Sequence, residues 1–195
     1  LLSIAVILLI ILVGYLMLTC TPSAPPSNPP VKFDLKGTRV LVVGEENTLM
    51  DNVIEKMEMF GAEIEYLDLE SSTSINLDKN SLIIFSGDWI SAYAKNPQVH
   101  ILIKNAYHGK AVLIAIGGST SGLFDALDKA RVYELAQNKA GNIRNPAHFN
   151  PPVAGFRLKM ATDLHDTLYY YPSILISNTT DVKGIFEAIS NWING

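Results

Sequence analysis

The stretch GKAVLIAIGGSTSGLFDAL, residues 109–127, decides the fold of this chain. Its first half, Ala111 to Ile116, is apolar at every position, so both faces of the segment need cover. A run that short and that uniformly apolar is the mark of a buried parallel strand. Gly117-Gly118 then break it, and Ser119 to Leu127 restarts as a helix. The expectation is a strand, a sharp turn and a helix, the repeating unit of an α/β sheet.

Working outward, the same grammar recurs. Thr38 to Val43 is a second apolar run; Gly44 opens a turn, and Asn47 or Thr48 caps a helix that continues through Phe60 and closes at Gly61. Glu63 to Leu67 reads as strand two, and Ser81 to Phe85 as strand three, ended by Ser86-Gly87. Pro97 to Tyr107 places Val99, Leu102, Ile103 and Ala106 at helical spacing and stops at His108-Gly109. Pro172 to Ser177 is a last strand, and Val182 to Ile193 a last helix with Ile185, Phe186, Ile189 and Trp192 on one face. Strands alternating with helices imply a mainly parallel sheet covered on both sides, a three-layer α/β domain over residues 31–195. Between Arg131 and Met160, Asn and Pro recur and periodicity is lost, so this stretch reads as a long irregular excursion with room for a short hairpin.

In such a sheet ligands sit beyond the carboxyl ends of the strands. Three ends can be named: Gly44-Glu45-Glu46, Ser86-Gly87-Asp88 and Gly117-Gly118-Ser119-Thr120-Ser121-Gly122. The candidate ligand-binding residues are therefore Glu45, Ser86, Gly117, Gly118, Ser119 and Thr120. Hydroxyls in the last loop can cap the following helix, and the exposed amides there can hold a phosphate or carboxylate. The loop lacks the Walker lysine and the G-x-G-x-x-G spacing, which speaks against a nucleotide. Glu45 and Glu46 read either as an acid/base pair or as a solvated turn.

The order RVLVVGEE (39–46), SLIIFSGD (81–88), residues 109–127 and GIFEAISNWI (184–193) resembles the class I glutamine amidotransferase-like superfamily. The resemblance implies a flavodoxin-like three-layer domain with a nucleophile elbow after the fourth strand. The nucleophilic cysteine of that superfamily would fall at Gly117, and residues 31–195 contain no cysteine. A thiolate has no counterpart in a glycine, so its covalent chemistry is not expected. A hydrolase using Thr120 or Ser119, with His165 as base, is the remaining catalytic expectation.

His100, His108, His148 and His165 are scattered, without i, i+4 pairing, so no metal and no cofactor is expected. Asn178-Thr179-Thr180 is an N-glycosylation acceptor. Tyr169-Tyr170-Tyr171 reads as a run whose alternate members pack into the core while the others are exposed, or as a sugar- or partner-binding patch. With 15 Lys+Arg against 19 Asp+Glu the net charge is -4, and no basic footprint for nucleic acid is present.

The amino-terminal end differs in kind. Residues 1–31 carry no Asp, Glu, Lys or Arg, and Leu1 to Cys20 is apolar on every face. Twenty residues of helix span about 30 Å, enough to cross a bilayer core. Thr21 to Pro30 holds five of the ten prolines and forms an extended spacer of about 30 Å. Residues 1–20 resemble the mature amino terminus of type IV pilins, especially archaeal ones, whose basic leader is removed and whose helices pack together in the filament core. That implies a membrane helix before assembly and self-association into a homopolymer afterwards. The usual archaeal pilin head is a β-sandwich, from which this one departs. The competing expectation is a membrane anchor, including a lipoprotein joined through Cys20, although Thr19 is a poor residue before a lipidated cysteine. The chain is thus expected to be a non-enzymatic cell-surface filament subunit, or else a membrane-anchored module binding a small anionic or sugar ligand.

Overall fold

The computed structural model describes residues 35–45, 47–72, 74–132, 150–163 and 166–195. The expected helix over 1–20, the spacer over 21–30, Cys20, Glu46, His148 and His165 lie outside them. Among the described residues no helix is long and apolar enough to cross a membrane.

The first four strands are β1 (Arg39–Val43), β2 (Glu63–Leu67), β3 (Ser81–Ser86) and β4 (Val112–Ile116). They pair in parallel, in the order β2-β1-β3-β4. Between them run α1 (Thr48–Met59), the short α2 (Leu69–Ser72), α3 (Gly87–Tyr93) and α4 (Pro97–Gly109), and α5 (Gly122–Lys129) follows β4. Then come β5 (Val153–Thr162), β6 (Leu168–Ser177) and α6 (Val182–Asn194). Strand β5 is antiparallel to both β4 and β6, so one strand of six runs against the rest.

Side chains alternate across the sheet, and both faces are covered. Leu41, Ile83, Phe85, Leu113 and Ala115 pack with α3, α4 and α5; Val40, Val42, Leu82, Ile84 and Ile114 pack with α1 and α6. Every residue of β3 and β4 is buried, which explains their uninterrupted apolar sequence. The helix starts follow local chemistry. Asn47 accepts from the Met50 amide, Asn96 from Gln98 beside Pro97 at the first turn, and Asp181 from Gly184.

Three expectations need correction. Strand β3 does not stop at Phe85: Ser86 is its last residue and Gly87 opens α3 directly. The stretch from Arg131 to Met160 is not irregular throughout, because Val153 to Met160 belongs to β5. That strand carries Gly155, whose missing side chain leaves room for Trp192, with its nearest ring atom 3.0 Å from a would-be Cβ. Strand β6 begins at Leu168, not Pro172, so the three tyrosines lie in it.

The β5–β6 pair extends past the rest of the sheet. Only Val153 to Phe156 of β5 face β4, ending at Leu113; from Arg157 to Thr162 the strand pairs with β6 alone. Because Leu113 lies at the amino end of β4, this two-stranded ribbon leaves the sheet at the amino ends of the parallel strands. At about 3.4 Å per residue it reaches about 20 Å. Out there none of the three tyrosines is buried, and Met160, Leu168 and Tyr169 are exposed.

Candidate functional site

The carboxyl ends of β1, β3 and β4 bring the three expected turns together. Register fixes this: Val43 lies opposite Phe85, and Ser86 opposite Ile116. Asn47 ties them. While its Oδ1 caps α1, its Nδ2 donates to the Ile116 carbonyl at 3.2 Å and to Ser86 Oγ at 3.5 Å. Glu45, Ser86, Gly117, Gly118, Ser119 and Thr120 therefore do share one edge of the sheet.

What they form is closed by the protein's own groups. Gly118 has φ +58, and a Cβ there would sit 2.3 Å from the Asp88 carboxyl carbon. The Ser119 amide donates to Asp88 Oδ1 at 3.0 Å, and the Ser121 amide donates to Asn150 Oδ1 at 3.3 Å. The Gly117 amide donates to the Pro152 carbonyl at 2.8 Å. The Gly117, Ser119 and Ser121 amides thus already have acceptors within the protein. Thr120 is fully buried, and its hydroxyl donates to the Pro151 carbonyl. It points away from solvent, so it is not placed as a nucleophile. The hydroxyls also do not cap α5 as expected: Ser121 occupies the cap position without a side-chain bond.

The sequence reading missed the neighbouring surface. Trp89 and Tyr93, four apart on α3, stack at 4.7 Å between ring centres. Gly44, at φ +98, makes room for the indole, which would lie 2.4 Å from an added Cβ. On one side of the rings is an open groove of about 510 Å³, lined by Glu45, Asp68, Glu70, Asn96 and Gln98. On the other is one of about 320 Å³, bounded by Glu45, Asn47, Ser86 and Asp88. Among the described residues no lysine or arginine lines either groove. Hydrogen bonds from the Ser71 amide and hydroxyl hold the Asp68 carboxyl below its ordinary pKa, so it stays ionised. The described lining of the grooves is acidic, which disfavours a small anion there. The i, i+4 spacing of Trp89 and Tyr93 after a strand end was the signal available for it.

The other candidates fall elsewhere. His100 hydrogen-bonds the Ala94 carbonyl at 2.8 Å, and His108 ends α4 at the opposite edge. Among the described residues no group of His, Cys, Asp and Glu is arranged to hold a metal. Asn178 is exposed in the turn between β6 and α6. Comparison with family models, characterised proteins and solved structures finds no match.

Proposed function

We propose that this chain is a non-enzymatic cell-surface subunit, pilin-like in its first 20 residues, that assembles through them into a filament and displays the α/β head outside. The reading is carried by one pairing: a 20-residue run without charge or polar face, joined to a head whose strand-end loop is sealed by its own side chains. An all-round apolar helix needs lipid or other apolar helices around it. In this reading, residues 1–20 sit in the membrane before assembly and against equivalent helices afterwards. The head would be a flavodoxin-like relative of the amidotransferase-like superfamily that has lost its elbow cysteine at Gly117. Exposed Asn178 would then be open to glycosylation at the cell surface.

Shearing cells and probing the filament fraction for the chain tests this. Recovery only from detergent-solubilised membrane would defeat it. An intact mass showing a fatty acyl group on Cys20 would defeat it too.

A second reading, a membrane-tethered binding module, is favoured by the grooves around Trp89. An aromatic face beside carboxylates and side-chain amides suits a neutral sugar rather than an anion. A thermal-shift screen of neutral oligosaccharides against the Trp89→Ala control tests it, and equal shifts in both proteins would remove it.

A further inference from the structure

We propose that neighbouring heads dock head-to-tail, the basic base of one copy's β5–β6 ribbon seating on the acidic Trp89 groove of the next. The filament reading supplies the neighbouring copy, and the contact specifies how the heads would meet.

The groove end is described above: Glu45, Asp68, Glu70 and Asp88 around a Trp89–Tyr93 stack, with no basic lining residue among the described residues. At the opposite end of the same strands three cations line one cavity. Lys79 lies two residues before β3 and Lys110 two before β4, and Arg157 is the first ribbon residue beyond β4. With Met160 and Tyr170 they line a cavity of about 240 Å³. Lys110 Nζ lies 4.1 Å from the Tyr170 ring centre. Arg157 donates to the Ile193 carbonyl at 2.6 Å and lies over the Trp192 ring, and its Nε is buried without a hydrogen-bond partner. Among the described residues none of these three cations is in an ion pair. Lys159, two residues further out than Arg157, donates to the Gly195 carbonyl, and the ribbon turn carries Asp163 and Asp166.

Fold polarity produces this arrangement. Helices after parallel strands all start at the carboxyl edge, where acidic residues suit the dipole, and end at the amino edge, where cations do. Asp51, Asp88 and Asp125 occupy first turns, and Lys56 and Lys129 last turns. The two surfaces are complementary in charge and each offers aromatic or apolar contact, with Met160 55% exposed. They lie at opposite ends of one sheet and cannot meet within a copy. A second copy satisfies both, and a heterologous contact of this kind repeats from copy to copy, giving an open filament where its rotation does not close into a ring. It need not be strong, because copies already held by their amino-terminal helices meet at high effective concentration.

Cysteine pairing in the full chain, in nonionic detergent and with Cys20→Ser as background, tests the contact. Glu45→Cys and Met160→Cys proteins, oxidised after mixing, should form a disulfide dimer that neither forms alone, and the chain bearing both should form a ladder. Yield should fall about fivefold from 0.1 M to 1 M salt, as the screening length shrinks from about 10 to 3 Å. In the chain bearing both cysteines, Asp68→Lys and Lys79→Glu should each lower the yield, and together restore it to within about twofold. Dimers of either cysteine variant alone, no mixed dimer, or a double reversal no better than the singles would overturn the proposal. If filaments form yet the mixed dimer does not, the head contact fails while the filament reading stands. A mixed dimer from a chain never found in filaments supports the contact and removes the filament.

Discussion

Replacing Gly44 by alanine tests the geometry on which the acidic groove rests. The residue has φ +98, and an added Cβ would meet the Trp89 ring at 2.4 Å. Two costs follow: a left-handed backbone for a residue with a side chain, about 1–2 kcal/mol, and overpacking against a ring held by neighbours, about 1–3 kcal/mol. Gly37 provides the control. It has φ +80 with nothing within 4 Å of a would-be Cβ, so Gly37→Ala incurs the backbone cost alone. For a head of this size each kcal/mol lowers Tm by about 2–4 °C. Gly44→Ala should therefore melt about 10 °C below the parent and Gly37→Ala about 4 °C below. Thermal unfolding of residues 33–195 followed by circular dichroism reads both. In the double variant Gly44→Ala/Trp89→Ala the steric part should vanish, leaving a favourable coupling of about 2 kcal/mol. Equal melting of the two single variants, or additivity in the double, would refute the packing of Trp89 on Gly44.

Phe186→Ala removes a fully buried ring from the face under α6 and should cost about 3–5 kcal/mol in urea unfolding. Thr120→Val leaves the Pro151 carbonyl without its donor and should cost about 1–3 kcal/mol, again by urea unfolding; esterase assays of parent and variant should show no difference. Arg39→Ala breaks a bridge to Glu65 whose side chains are 36% and 44% exposed, so it should cost under about 1 kcal/mol, and less in high salt. Asp68 has a depressed carboxyl pKa, so its contribution is complete above the ordinary carboxylate range and is lost as pH falls through the lower folded value. An NMR titration should place its midpoint below that of an unstructured aspartate, and Ser71→Ala should raise it.

Local signals carried most of the sheet. Fully buried strands must be apolar on both faces, so β3 and β4 were legible as uninterrupted runs, and Asn47 and Pro97 marked helix starts because orphan amides and fixed φ have few solutions. Strand β5 was not legible. Four of its residues are buried against β4 from far along the chain, while its outer half meets β6 alone, so no single period runs through it. The rule that ligands gather at carboxyl ends singled out the 117–122 loop from local sequence, whereas what closes that loop was not legible. Asp88, Asn150 and Pro151 close it, and each lies about 30 residues away in the chain.

The sequence alone determined that strands alternate with helices, that the strand-end turns share one edge, and that residues 1–31 are uncharged. These follow from composition and from periods of a few residues, which are local. Tertiary structure decided that β5 runs backwards, that Thr120 faces inward, and that Glu45, Asp68 and Glu70 line a groove at one end of the sheet while Lys79, Lys110 and Arg157 line a cavity at the other. Those depend on which distant segments touch, and contact between distant segments is set by packing rather than by any short pattern.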